Sequence, residues 1–87
     1  MYSIGFSNTS IKDFDKLESS IYLRISDKIH GLEINPRPIG SIKLTDSDAY
    51  RIRIGNYRVI YSVNDKSCQV IIYRILHRKE SYKKNIH

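Results

Sequence analysis

The 87-residue chain holds one cysteine, one methionine, two prolines, four glycines and no tryptophan. A single cysteine, Cys68, excludes an intramolecular disulfide and a cysteine metal cluster. Placed in an apolar strand pattern, it reads as buried filler. No apolar run nears the ~20 residues that span a bilayer, and no charged-then-apolar leader opens the sequence. The expected location is the cytoplasm, with no membrane contact. Repeats, low-complexity tracts and linkers are missing too, so residues 1–87 read as one domain that would bury roughly 60 to 65% of its unfolded surface. Carboxylates and histidines are not clustered in the manner that holds magnesium or zinc, and no metal or other cofactor is expected.

Acidic residues are scarce where basic ones are dense. The net charge is +6, but residues 1–48 carry six Lys or Arg against seven Asp or Glu, and residues 49–87 carry nine against two. The positive field therefore belongs to the C-terminal half. Such a field suits a polyanion or an acidic protein partner.

Tyr2, Ile4 and Phe6 alternate with small or polar residues and predict a strand near the N-terminus. Asn8-Thr9-Ser10 offers cap chemistry for a helix over about 9–18 with Ile11, Phe14 and Leu17 on one stripe. Ser19 or Ser20 can cap a second helix, in which Ile21, Ile25, Ile29 and Leu32 recur at helical spacing while Arg24, Asp27 and Lys28 face water. Asn35-Pro36-Arg37-Pro38 stops it. A strand at about 40–44, a polar turn, a hairpin and a strand from Cys68 to about His77 complete the order β-α-α-β-β-β-β. The expected fold class is α+β: an N-terminal strand, a helical hairpin, then antiparallel strands forming a twisted sheet with both helices on one face.

The hairpin is Tyr50-Arg51-Ile52-Arg53-Ile54-Gly55-Asn56-Tyr57-Arg58-Val59-Ile60-Tyr61. Two alternating runs flank Gly55-Asn56, which suits a two-residue type II′ or I′ turn because Gly55 accepts a positive φ. That loop length pairs Ile54 with Tyr57, Arg53 with Arg58 and Ile52 with Val59, and puts Arg51 on the face of Arg53. Like charges opposed across a ladder cost a few tenths to roughly 1 kcal/mol. Their retention points to an anionic ligand, with nucleic acid phosphate foremost, against the plainer reading of a solvated, protected sheet edge. Val59, Tyr61 and Val63, with Tyr57, would face the helices. The last strand has two registers open: one puts Tyr73, Ile75 and His77 on Arg58's side, the other Arg74, Leu76 and Arg78.

The strand ends in Leu76-His77-Arg78-Lys79-Glu80-Ser81-Tyr82-Lys83-Lys84. With this element, the helical hairpin, Asn35-Pro36-Arg37-Pro38, Lys43-Leu44 and the arginine hairpin in place, the whole chain resembles the RelE group of the RelE/ParE toxin superfamily. The resemblance implies a RelE-like fold and a type II toxin that cleaves messenger RNA in the ribosomal A site. It also implies contact with mRNA and rRNA, and inhibition by a cognate RelB-like antitoxin in a hetero-oligomer. Family functional positions match Arg51, Arg53, Arg58, Arg78 and Tyr82, although lysines often stand where this chain has Arg51 and Arg53, and the spacing from Arg78 to Tyr82 is short.

The chemistry follows from RNA itself. The 2′-hydroxyl is the nucleophile, so the protein has to align it, accept its proton, stabilise phosphate charge and protonate the leaving oxygen. Arg51, Arg53 and Arg58 suit charge stabilisation, since a guanidinium grips phosphate oxygens in pairs and stays charged. Arg78 would stabilise charge or donate a proton; His77, ordinarily near pKa 6.5, is the better-matched acid or base. Tyr82 would stack on a base or accept a proton. Lys43, Arg74, Lys79, Lys83 and Lys84 are candidate RNA contacts. Two other readings remain: a ParE-like DNA gyrase inhibitor, and a non-catalytic basic module that docks an acidic antitoxin segment or structured RNA.

Overall fold

The computed structural model describes residues 1–45 and 47–79. Its elements are β1 (Ser3–Phe6), α1 (Asn8–Asp15), α2 (Ser19–Gly31), β2 (Ile42–Lys43), β3 (Ala49–Ile54), β4 (Tyr57–Asn64) and β5 (Gln69–His77), in the expected order. The five strands form one sheet in the order β1-β5-β4-β3-β2. It is mixed where an antiparallel sheet was expected: β1 runs parallel to β5, pairing Ser3 with Gln69 through Phe6 with Ile72. The two-helix crossover between β1 and the hairpin strands allows this, since a parallel partner needs a long connection.

Helix α2 buries Ile25, Ile29 and Leu32 against Ile52, Val59, Tyr61, Val63, Val70, Ile72 and Ile75. Each fully buried aliphatic side chain contributes about 1.5–3 kcal/mol. Its N-cap is Glu18 without a side-chain cap bond, and neither Ser19 nor Ser20 takes that role. Helix α1 is shorter than expected. Ser7 caps it, its hydroxyl accepting from the Ser10 amide at 3.0 Å, and the chain is already extended again at Glu18. Its buried positions are Ser10 and Asp13; Phe14 and Leu17 pack at the core margin, while Ile11 is 48% exposed. Of the expected helical stripe, Phe14 alone packs inward from α1, while Leu17 reaches the core margin from beyond the helix end. Strand β2 shrinks to two residues, and Cys68 is exposed at φ +53° in the turn before β5, not buried within the strand.

Asp13 is buried because it replaces a missing strand. β1 covers β5 as far as Ile72, and beyond that point the Ile75 amide donates to Asp13 Oδ2 at 2.8 Å. The Arg74 guanidinium closes on the same carboxylate, Nε to Oδ2 at 2.9 Å. The Ser7 hydroxyl donates to the Tyr73 carbonyl at 2.9 Å, so the N-cap of α1 and Asp13 in its last turn together grip β5 around Tyr73. That residue is a bulge: Tyr61 pairs with Ile72 but Ile60 with Arg74. One extra residue reverses which side chains face the helices.

The opposite end of the sheet is fastened by Arg37. Its Nη1 and Nη2 donate to the two Asp65 oxygens at 3.1 and 2.9 Å, and its Nε donates to Tyr50 Oη at 2.8 Å. Tyr2 Oη donates to the same carboxylate at 2.7 Å. Tyr50 stacks on Tyr61, whose hydroxyl donates to the Pro36 carbonyl at 2.8 Å; burial pushes the Tyr61 phenol up. The Asp65 carboxyl is held below its ordinary range by hydrogen bonds from Arg37 and then Tyr2.

Asp13→Ala leaves the Ile75 amide without its acceptor and Arg74 without its carboxylate. Urea unfolding should show a loss of about 2–4 kcal/mol, and a loss below about 0.5 kcal/mol would contradict this account of the edge. The Arg37–Asp65 pair contributes stability above the unfolded carboxyl's pKa of about 3.9, and that contribution disappears as pH falls through the lower folded value. The pair is exposed, so the effect is small. Thermal midpoints of Asp65→Asn should lie beneath wild type at neutral pH and converge on it as pH falls through the lowered folded value; parallel curves would remove the pair from the acid response.

Candidate functional site

The hairpin forms in the expected register, with Arg53 opposite Arg58, Ile54 opposite Tyr57 and Ile52 opposite Val59. Gly55 sits at φ +60° and Asn56 is not at positive φ, which makes the connection type II′. Opposed residues in such a ladder hold their Cβ atoms about 5 Å apart. Arg53 and Arg58 therefore rise from one spot. Arg51 shares their face two residues back, flanked by Ile60 and Ile42 in the register.

The Tyr73 bulge settles the open register of β5. Arg74 opposes Ile60, and Leu76 opposes Arg58, so the arginine face receives Arg74, Leu76 and Arg78. The Arg78 amide donates to the Asn56 carbonyl at 2.7 Å, fastening the strand's exit to the hairpin turn. Arg53, Arg58 and Arg78 line a concavity of about 100 Å³ together with Gly55, Asn56 and Tyr57. Arg53 and Arg58 come to it from the two hairpin strands, and Arg78 from just past the end of β5.

Other candidates are placed elsewhere. His77 opposes Tyr57, whose ring it meets edge-on at 5.0 Å between centroids, on the helix-facing side. The Arg74 guanidinium is held by Asp13 and fastens β5. Lys43 opposes Tyr50, whose ring packs on the core, and so lies on the face away from Arg51. Lys79 is exposed beside Arg78. Tyr82, Lys83 and Lys84 fall outside the described residues.

Such a convergence can hold one anionic oxygen group in a fixed, permanently charged cradle. Residues 4–82 match the family described as ParE toxin of type II toxin-antitoxin system, parDE. The chain is 34% identical over 83 residues to toxin RelE3 of Methanocaldococcus jannaschii, covering 88% of this chain and 91% of that one.

It belongs to the RelE group of the RelE/ParE toxin superfamily.

Toxin RelG of Mycobacterium tuberculosis is 27% identical over 85 residues, with 95% of this chain and 98% of the relative covered. Among solved structures, the archaeal RelE-RelB complex from Pyrococcus horikoshii matches with TM-score 0.78 at 31% identity, over 88% of this chain and 94% of that chain. The isolated E. coli RelE toxin shares the fold alone, with TM-score 0.79 at 21% identity and full coverage of both chains.

Sequence reasoning missed three members of this RelE-group domain's framework. Asp13 and Asp65 look like surface carboxylates on a helix and in a turn, and their partners lie more than twenty-five residues away in sequence. Arg24, read as solvated, places its guanidinium against Gly55. None of the three carries a local pattern that could have marked it.

Gly55 has ordinary room for a Cβ, 3.5 Å from Arg24 Nη1 and Nη2, but its φ does not suit a side chain. Gly55→Ala should destabilise the fold by about 1–2 kcal/mol through backbone strain. Calorimetry showing wild-type stability would contradict the left-handed turn.

Proposed function

We propose that this RelE-group domain is a ribosome-dependent endoribonuclease that cleaves messenger RNA in the A site and is restrained by a cognate RelB-like antitoxin. The observation that carries the reading is the concavity shared by Arg53, Arg58 and Arg78. Solved relatives that include RelE-RelB complexes support the antitoxin as partner. The assembly would be a toxin-antitoxin hetero-oligomer in the cytoplasm; no helix among the described residues is long and apolar enough to cross a membrane.

In this mechanism the scissile phosphate sits among the three guanidinium groups, with Arg51 contacting the backbone one step along the same face. Attack by the 2′-hydroxyl forms a bond to phosphorus and breaks the bond to the 5′-oxygen; the 2′ proton passes to Tyr82 or solvent, the leaving 5′-oxygen takes a proton from Arg78 or solvent, and charge builds on the non-bridging oxygens. Fixed cations stabilise that charge without reorganising. Arg78 acts mainly as a cation, since arginine loses its proton only above about pH 12. His77, on Tyr57's side of the sheet, is withdrawn from the proton-donor role the sequence offered it. Tyr82 is assigned the base-stacking or proton-accepting role, with Lys79, Lys83 and Lys84 as peripheral contacts. The reaction needs no metal and no cofactor, and the ribosome supplies the alignment of the message.

A second reading is favoured by the matching family's description as a ParE toxin of parDE: inhibition of DNA gyrase by protein contact. One experiment separates the two. Programmed ribosomes are incubated with the chain and mRNA ends are mapped, beside a gyrase supercoiling assay. Cleaved message with active gyrase is the expected result; intact message with inhibited gyrase reverses the ranking. Arg58→Ala should lower cleavage by about 10²–10³-fold while retaining its thermal midpoint, and His77→Gln should cleave within a few-fold of wild type.

A further inference from the structure

Arg24 belongs to α2, yet its guanidinium meets the turn of the arginine hairpin. Nη1 and Nη2 stand 3.5 Å from where a Gly55 Cβ would lie. Gly55, Asn56 and Tyr57 wall two concavities at once. One, of about 140 Å³, contains Arg24 with Ile21, Ile25 and Ile54; the other contains Arg53, Arg58 and Arg78. The tip is a thin backbone partition with guanidinium groups on both sides.

Local pairing does not account for where Arg24 lies. Asp27 is three residues along the same helix, a spacing suited to an ion pair, and lines a neighbouring hollow with it. None of the ion pairs among the described residues involves Arg24. Its charge is added to a tip already rich in arginine, which raises repulsion there. A linear anion laid over the tip offsets that repulsion on both sides, whereas a compact anion would engage one side.

We infer that Arg24 is an RNA-binding residue. A single-stranded RNA backbone crosses the Gly55–Asn56 tip, with one phosphate among Arg53, Arg58 and Arg78 and a neighbouring phosphate on Arg24. The absent side chain at Gly55 keeps the crossing low. The assignment rests on the RNA-cleaving reading above and extends its site around the hairpin to the helix layer.

The test is fluorescence anisotropy of a short labelled single-stranded RNA against the folded chain over a range of salt concentrations. Arg24→Gln should weaken binding several-fold and reduce the slope of log affinity on log salt by about 0.7, the value for one phosphate contact on a single strand. Arg24→Lys should restore the slope. Lys66→Gln, in the β4–β5 turn at the far end of the sheet, removes the same charge and should leave the slope unchanged. Equal slopes for Arg24→Gln and wild type overturn the inference, as does an equal loss in Lys66→Gln, which would show a general field effect. An unchanged RNA slope with weakened polyglutamate binding assigns Arg24 to an acidic protein partner and also overturns it. Mapping mRNA ends with the same proteins keeps the two readings apart. Failure of wild type to cleave ribosome-bound message removes the catalytic reading, while an Arg24-dependent slope stands independently.

Discussion

One extra residue in β5, Tyr73, governs which side chains meet the arginine hairpin. Before it, Val70 and Ile72 point into the core; after it, Ile75 does. Strict alternation would have sent Ile75 and His77 to the open face and Arg78 toward the helices. The insertion is held in place by α1, through its N-cap Ser7 on the Tyr73 carbonyl and Asp13 of its last turn on the Ile75 amide. A bulge gripped on both sides cannot slip without exposing a buried amide and a buried carboxylate. The first helix therefore decides, from a distance, that Arg78 stands beside Arg53 and Arg58.

The site that results is built on permanent charge. A guanidinium is a planar, delocalised cation whose fork of donors matches the geometry of anionic oxygens, which is what the proposed reading asks of it. Proton transfer is the weaker part of such a design. With His77 edge-on to Tyr57, the alignment supplied by a larger partner becomes central to the proposed reaction.

Carboxylates are given over to scaffolding at positions away from the hairpin tip. Asp13 closes one edge of the sheet, and Asp65 fastens Tyr2 at the start of the chain and Arg37 of the α2–β2 loop, which in turn holds Tyr50 of β3. Both draw arginines, Arg74 and Arg37, into structural work. The arginines of the chain thus divide by place, with Arg37 and Arg74 holding the fold and Arg24, Arg53, Arg58 and Arg78 gathered around the hairpin tip.

What the sequence determined by itself is what depends on near neighbours. Alternation and a two-residue turn fix the β3–β4 pairing, so the opposition of Arg53 and Arg58 is legible in the order of the residues. The apolar spacing of Ile21, Ile25, Ile29 and Leu32 likewise sets the buried face of α2. The tertiary structure alone decided the rest. The parallel pairing of β1 with β5, the bulge at Tyr73, the placement of His77 against Tyr57 and the capture of Arg74 by Asp13 all join residues distant in the chain. Their hydrogen bonds exist only once the layers are packed, and a bulge has no local signature when either register offers apolar residues to the core.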